Sequence, residues 1–212
     1  MIAYTVKADT EQLKEAISLF EFIGGKTADA LRVAINKTLP IVKTSASRAI
    51  GEQVNLTAAY IKSKLSTQPA TRENVTGRLF AESRGTLLSR FEASAKVSLF
   101  AKILTPADPI KVKVNPGAGQ IKVLKGDAET YGQPFYFRLK NAGPDPDLSY
   151  GIGAWRIATG PKGGRIKTFY GPSVSQVYKT VKDEIAPDAQ QTYTRQVIDA
   201  MRYILQKQFP PE

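Results

Sequence analysis

Histidine and cysteine are both absent from this 212-residue chain. Without cysteine there is no disulfide and no thiolate metal site. The missing histidine excludes more, because it removes the commonest general base, the commonest metal ligand and the usual activator of a nucleophilic serine. Enzymatic readings therefore start from behind, and no catalytic, cofactor-binding or metal-binding residue is assigned. Long apolar runs are missing as well: no window approaches ~18 uninterrupted apolar residues, so no membrane span is expected. The first residues do not show a basic region followed by an apolar core and a small-residue cleavage site, so no secretory signal is expected and the protein should be soluble where it is made.

Acidic residues are in deficit, with 30 Lys or Arg against 19 Asp or Glu and a formal net charge of +11. Such a surface attracts a polyanion or an acidic protein partner, though solubility charge alone accounts for it too. Apolar content of 42% is enough for a real core. The chain is read as one α+β domain over 1–212.

The longest periodic run covers 27–50. Leu31, Ile35, Leu39, Val42, Ala46 and Ala49 recur at steps of three and four and form one apolar stripe. Arg32, Lys37, Lys43 and Arg48 fall outside it, so a helix with a basic outer side is expected. Pro40 also lies on the polar side, where it removes one backbone hydrogen bond and should bend the helix. Between Lys26 and Lys64 there are seven Lys or Arg against Asp29 and Glu52, a local net charge of +5.

Around this helix the rest of the chain falls in order. Residues 1–6 suit a short strand, and Asp9 or Thr10 caps a helix with Leu13, Ile17 and Phe20 on one face, stopped at Gly24 and Gly25. Gly51 should end the long helix, and Thr57 should cap a shorter one carrying Tyr60, Ile61 and Leu65. After Gln68 the period drops towards two and Gly and Pro punctuate short stretches, as strands require. Strands are expected over 75–83, 88–96 and 97–104. Ile110, Val112 and Val114 alternate with Lys111 and Lys113, then 116–119 turns and Ile121, Lys122 and Val123 resume. This predicts a hairpin with a basic outer face, Lys125 following it. Strands are also expected over 135–139, 151–158 and 165–170. A helix with Val174, Val177, Val181 and Ile185 inward should end at Pro187, and a last one should carry Tyr193, Val197, Met201 and Ile204. The expected parts are helical over 9–66, β-rich over 72–170 as a mostly antiparallel sheet or small barrel, and two C-terminal helices over 172–208.

Few constellations carry chemistry. GPKGGR at 160–165 has the ingredients of a phosphate loop, but that loop needs a helix with Lys-Ser or Lys-Thr at its start. Here a strand should follow, so a hairpin turn is the better reading. Asp145 with Asp147, and Asp183 with Glu184, lack neighbouring ligands and read as solvated charge. Arg72, Arg78, Arg84, Arg90, Lys96 and Lys102 recur every six residues, but Gly77, Gly85 and Pro106 break any continuous strand. In FYFRLK, Phe135 and Phe137 should be buried by strict alternation, leaving Tyr136 for stacking. The loop over 141–149, NAGPDPDLS, reads as a mobile excursion.

Several segments taken in order resemble one family. ALRVAINKT on the long helix, the small-residue strand before GTLLSRFEASAK, then FYFRLK and GAWRIATGPKGGRIKTFYGPSVSQVY look like the phage minor tail protein Z family, the tail completion proteins. The likeness runs from about Ala30 to Val181. It implies a non-enzymatic virion protein made in the bacterial host cytoplasm and placed at the neck, the head-proximal end of a long non-contractile tail. Its implied partners are copies of itself in a ring, expected as a hexamer, the tail terminator or tail tube, and neck or connector proteins, with DNA in the lumen. Ring contacts of that kind use two different patches per subunit. The residues expected to meet DNA or an acidic partner, from charge, are Lys111, Lys113, Lys122 and Lys125 on the hairpin and Arg32, Lys37, Lys43 and Arg48 on the helix. The alternative from another class is a sequence-independent nucleic-acid-binding protein.

Overall fold

A computed structural model of the chain describes residues 2–5, 27–91, 103–104, 109–123, 131–138, 150–155 and 166–208. The fold is α+β, with three helices and several small antiparallel sheets among the described residues and no closed barrel. Packing divides the chain into two compact units: Met1–Ile50, Ala58–Ser83 and Val174–Glu212 in the first, Gly51–Thr57 and Arg84–Ser173 in the second. The helix expected after Asp9 and the loop over 141–149 lie outside the described residues.

The first unit is built on helix α1 (Thr27–Gln53), α2 (Ala58–Lys64), α3 (Val174–Gln208) and a sheet of β1 (Ile2–Thr5), β3 (Arg78–Ala81) and β2 (Leu65–Gln68) in that order. Both sheet pairings are antiparallel, with Ala81 opposite Ile2 on one side and Leu65 on the other. On β3, Leu79 and Ala81 are buried while Arg78 is exposed, the alternation of a strand with one face in the core. α3 lies against β1 and β3. α1 is pinned to the chain before β3 in two places. Asn36 Nδ2 donates to Ala70 O at 3.1 Å and Ala70 N donates to Asn36 Oδ1 at 2.8 Å. Gly77 is buried so close to Ile35 that an added Cβ would collide with that side chain.

The buried seam of α1 keeps Leu39, Val42 and Ala46 of the expected stripe and differs from it elsewhere. Ala30, Ala34, Thr38, Val42, Ala46 and Ile50 form a row at steps of four, while Leu31, Ile35 and Ala49 are only half-buried. Steps of four follow one of the natural ridges of a helix surface, and small side chains on that ridge admit a close neighbour. The neighbour is α3: Ala30 and Ala34 share one cluster with Tyr193, Val197, Ala200 and Met201, and Leu31, Val33 and Ile35 pack against its flanks.

Three boundaries are corrected. α1 runs through Gly51 to Gln53. Leu65 opens β2 directly after α2, because its side chain is buried through pairing with Ala81 and Ser66 and Thr67 favour the extended chain over another helical turn. The two helices expected at the C-terminus are one, α3, with Pro187 inside it. Pro187 is exposed, as Pro40 is in α1, and the buried row Val181, Ile185, Ala189, Tyr193, Val197 passes it without a break. Burial on both sides outweighs the roughly 3 kcal/mol that an interior proline costs.

The second unit holds the four-stranded antiparallel sheet β10 (Ile166–Thr168), β9 (Tyr150–Trp155), β8 (Phe135–Arg138), β5 (Ile103–Leu104), in that order. Two small pairs join it: β4 (Thr86–Leu87) with β11 (Tyr170–Gly171), and the hairpin β6 (Lys111–Val112) with β7 (Ile121–Lys122). Where a strand is expected over 88–96, the described residues hold instead a 3-10 turn, Leu88–Arg90, leading to Phe91, whose backbone O accepts from Lys113 N at 3.0 Å. Phe137 lies opposite Gly151, and a Cβ on Gly151 or Gly153 would meet its ring within 3 Å. The glycines leave the room that the ring occupies. Both faces of β8 are covered at its start, since Phe135 and Tyr136 are 2% and 1% exposed. Tyr136, expected to be open for stacking, is thus a core residue, while Phe137, expected to be buried, is half-buried.

Candidate functional site

The first unit carries a groove of about 570 Å³ along the early turns of α1 and the late turns of α3. Asp29, Val33 and Lys37 come from one side of α1 at steps of four, with Ala30 and Arg32 beside them; Ala200, Tyr203, Ile204 and Lys207 come from one side of α3 at steps of three and four. Helical periodicity alone brings each set together. Ala30, Val33, Ala200 and Ile204 make the lining apolar, and Arg32, Lys37 and Lys207 add three cations.

The one lining carboxylate is already engaged. Arg32 approaches Asp29 Oδ1 at 3.3 Å and Arg72 approaches the same oxygen at 3.7 Å. Two guanidinium groups around one carboxylate leave the groove with positive charge in excess. Lys37 and Lys207 are exposed, and Tyr203 is 65% exposed beside an apolar lining, so a large aromatic face is left for a neighbour. Tyr193 is buried in the same helix cluster as Ala30 and Ala200, and this burial raises its pKa above the usual 10.0.

Of the residues expected from sequence on this helix, Arg32 and Lys37 line the groove. Lys43 and Arg48 lie farther along α1 and do not. Sequence reasoning missed Tyr203 and Lys207. Their signal is their i, i+4 spacing on the flank of the Tyr193, Val197, Met201 row, with Lys207 in the last helical turn, where a cation is favourable.

In the second unit the expected hairpin forms, although Ile121, expected on its apolar face, is exposed while Val112 and Val123 are buried. Lys111 stands directly opposite Lys122, and both are exposed. Like charges opposed across a strand pair repel. Lys113 is half-buried after β6, and Lys125 lies outside the described residues. The turn is built by Asn115, whose Oδ1 accepts from Gly117 N at 2.8 Å and whose O accepts from Ala118 N at 3.2 Å. Asn at the first position and Pro116 at the second fit such a turn.

Other sequence candidates separate. The segment 160–165 lies outside the described residues, and a strand, β10, follows it, with Ile166 paired antiparallel to Trp155. Asp183 and Glu184 are exposed, with Asp183 at 3.2 Å from Lys182 Nζ. Arg78 stands on β3 and Arg90 in the 3-10 turn, so the six-residue series shares no strand. Among the described residues no group of three acidic side chains is placed to hold a metal ion, and no helix is long and apolar enough to cross a membrane. No protein-family model, curated protein or solved structure matches the chain.

Proposed function

We propose that this is a non-enzymatic structural protein of a long non-contractile phage tail, similar to the minor tail protein Z family, which completes the head-proximal end of the tail for head-tail joining as a ring of its own copies. The observation that carries the reading is the order in which the resembling segments fall on the elements of the chain. ALRVAINKT lies on α1 with Ala30 and Ala34 in its buried seam, FYFR forms β8, and the last segment runs through β9, β10 and β11 into the start of α3. The apolar, cation-lined groove supports it further, because a protein that works by holding a place in an assembly needs open surfaces for neighbours.

Electron microscopy of virions with this chain labelled tests the proposal. Label at the neck is expected, and particles made without the chain should show filled heads and finished tails that do not join. Fully assembled, infectious particles lacking it would end the reading, as would turnover of a substrate by the purified chain.

The opposed Lys111 and Lys122 favour a second reading, sequence-independent nucleic-acid binding. That reading requires monomer affinity for DNA that falls steeply and linearly with log salt. A tail component instead shows little affinity before assembly.

A further inference from the structure

We propose that the groove lined by α1 and α3 is a docking site for an acidic amphipathic segment of a neighbouring protein. The inference rests on the assembly reading for the neighbour's presence, and it names the chemistry by which that neighbour is held.

Two properties of the groove select the occupant together. Val33 and Ile204, half-buried along the groove, present apolar surface that gains only from covering by another apolar group. Arg32, Lys37 and Lys207 add positive charge that Asp29 does not cancel, since its carboxylate is shared by Arg32 and Arg72. A nucleic-acid backbone would satisfy the cations and leave the apolar lining wet. A wholly apolar segment would cover the lining and desolvate the cations without a partner, which is costly. A basic segment would be repelled. A helix with apolar residues at i, i+3, i+4 and i+7 and carboxylates on its flanks meets both demands, which is the helix-in-groove mode of recognition. The volume of about 570 Å³ holds apolar anchors, and the 65% exposed Tyr203 supplies a rigid amphipathic contact.

The test uses the full-length chain and a fluorescein-labelled synthetic helical peptide of about 15 residues, with Leu on the i, i+3, i+4, i+7 face and Glu elsewhere. Its counterpart has Lys in place of every Glu. Fluorescence anisotropy should show saturable binding of the Glu peptide and at least about tenfold weaker binding of the Lys peptide. The double variant K37E/K207E should lose at least about tenfold affinity for the Glu peptide while keeping its far-UV circular dichroism. V33N, which leaves the charge of the groove unchanged, should weaken the Glu peptide. Mixed-sequence duplex DNA should not displace the Glu peptide.

Equal binding of the two peptides, unchanged affinity in K37E/K207E, or displacement by DNA would overturn the proposal. Absence of saturable binding would overturn it too. The two readings fail separately. Peptide binding without neck label removes the assembly role and keeps the groove; neck label without peptide binding does the reverse.

Discussion

The two units bring their elements together by opposite means. In the helical unit the approach depends on small side chains: Ala30 and Ala34 are 1% and 0% exposed where α1 meets α3. In the β unit it depends on glycine filled by a ring. Phe137 occupies the space over Gly151 and Gly153, and Phe91 lies against Gly171. An alanine seam leaves no cavity and no room, whereas a glycine site is a cavity that one aromatic closes. The first arrangement should therefore suffer most from an added side chain and the second from a removed one.

The largest expected effect is in the β unit. Phe91 is fully buried, and F91A should destabilise by about 3–5 kcal/mol, through lost transfer energy plus the cavity left above Gly171. Trp155, the single tryptophan, stands on β9 of this unit, so its fluorescence in a urea titration reads the loss. A loss under about 1 kcal/mol would mean that the ring is not what closes the site.

A smaller loss is expected from overfilling the helical seam. A34L should cost about 1–3 kcal/mol, because the fully buried Ala34 has no volume to give against Tyr193 and Val197. The same enlargement at exposed Ala28 should stay within about 0.5 kcal/mol. Far-UV circular dichroism follows the helices in both variants. Equal effects at Ala28 and Ala34 would erase the contrast between the units.

What could be read from the sequence follows the same division. The helical stripes on α3 were legible because Val174, Val177, Val181 and Ile185 are large, apolar and correctly spaced, and all are buried. On α1 the stripe holds at Leu39, Val42 and Ala46, which are buried, and shifts by one position towards the N-terminus, because a hydrophobic stripe is read from large residues and Leu31 and Ile35 outweigh Ala30 and Ala34. Pro187 was read as a stop although the row from Ile185 to Ala189 keeps phase across it; that continuity was the available signal. In the sheet, alternation identified β8 and the β6–β7 hairpin but misassigned Tyr136. A strand covered on both faces has no polar side to alternate with. The groove was half legible. Arg32 and Lys37 were marked by charge, but their meeting with Tyr203 and Lys207 depends on how α1 and α3 pack, and no local pattern encodes that.

The smallest effect near neutral pH, and the one that isolates the α1–α3 seam, concerns Tyr193. Burial raises its pKa above 10.0 in the folded state, whereas the unfolded chain ionises it at the ordinary value. Its neutral form is thus favoured by folding. This contribution is fully present below pH ~10 and is lost as pH rises through the folded pKa, with a slope of at most about 1.4 kcal/mol per pH unit. In Y193F nothing at this position ionises, while every other lysine and tyrosine is retained. The stability difference between wild type and Y193F should therefore be flat from neutral pH to about pH 9 and should move against wild type above pH ~10. Urea midpoints at matched ionic strength measure it. A difference that stays flat through the alkaline range would show the phenol to be solvated, and the seam of alanines beside it would then be looser than its burial indicates.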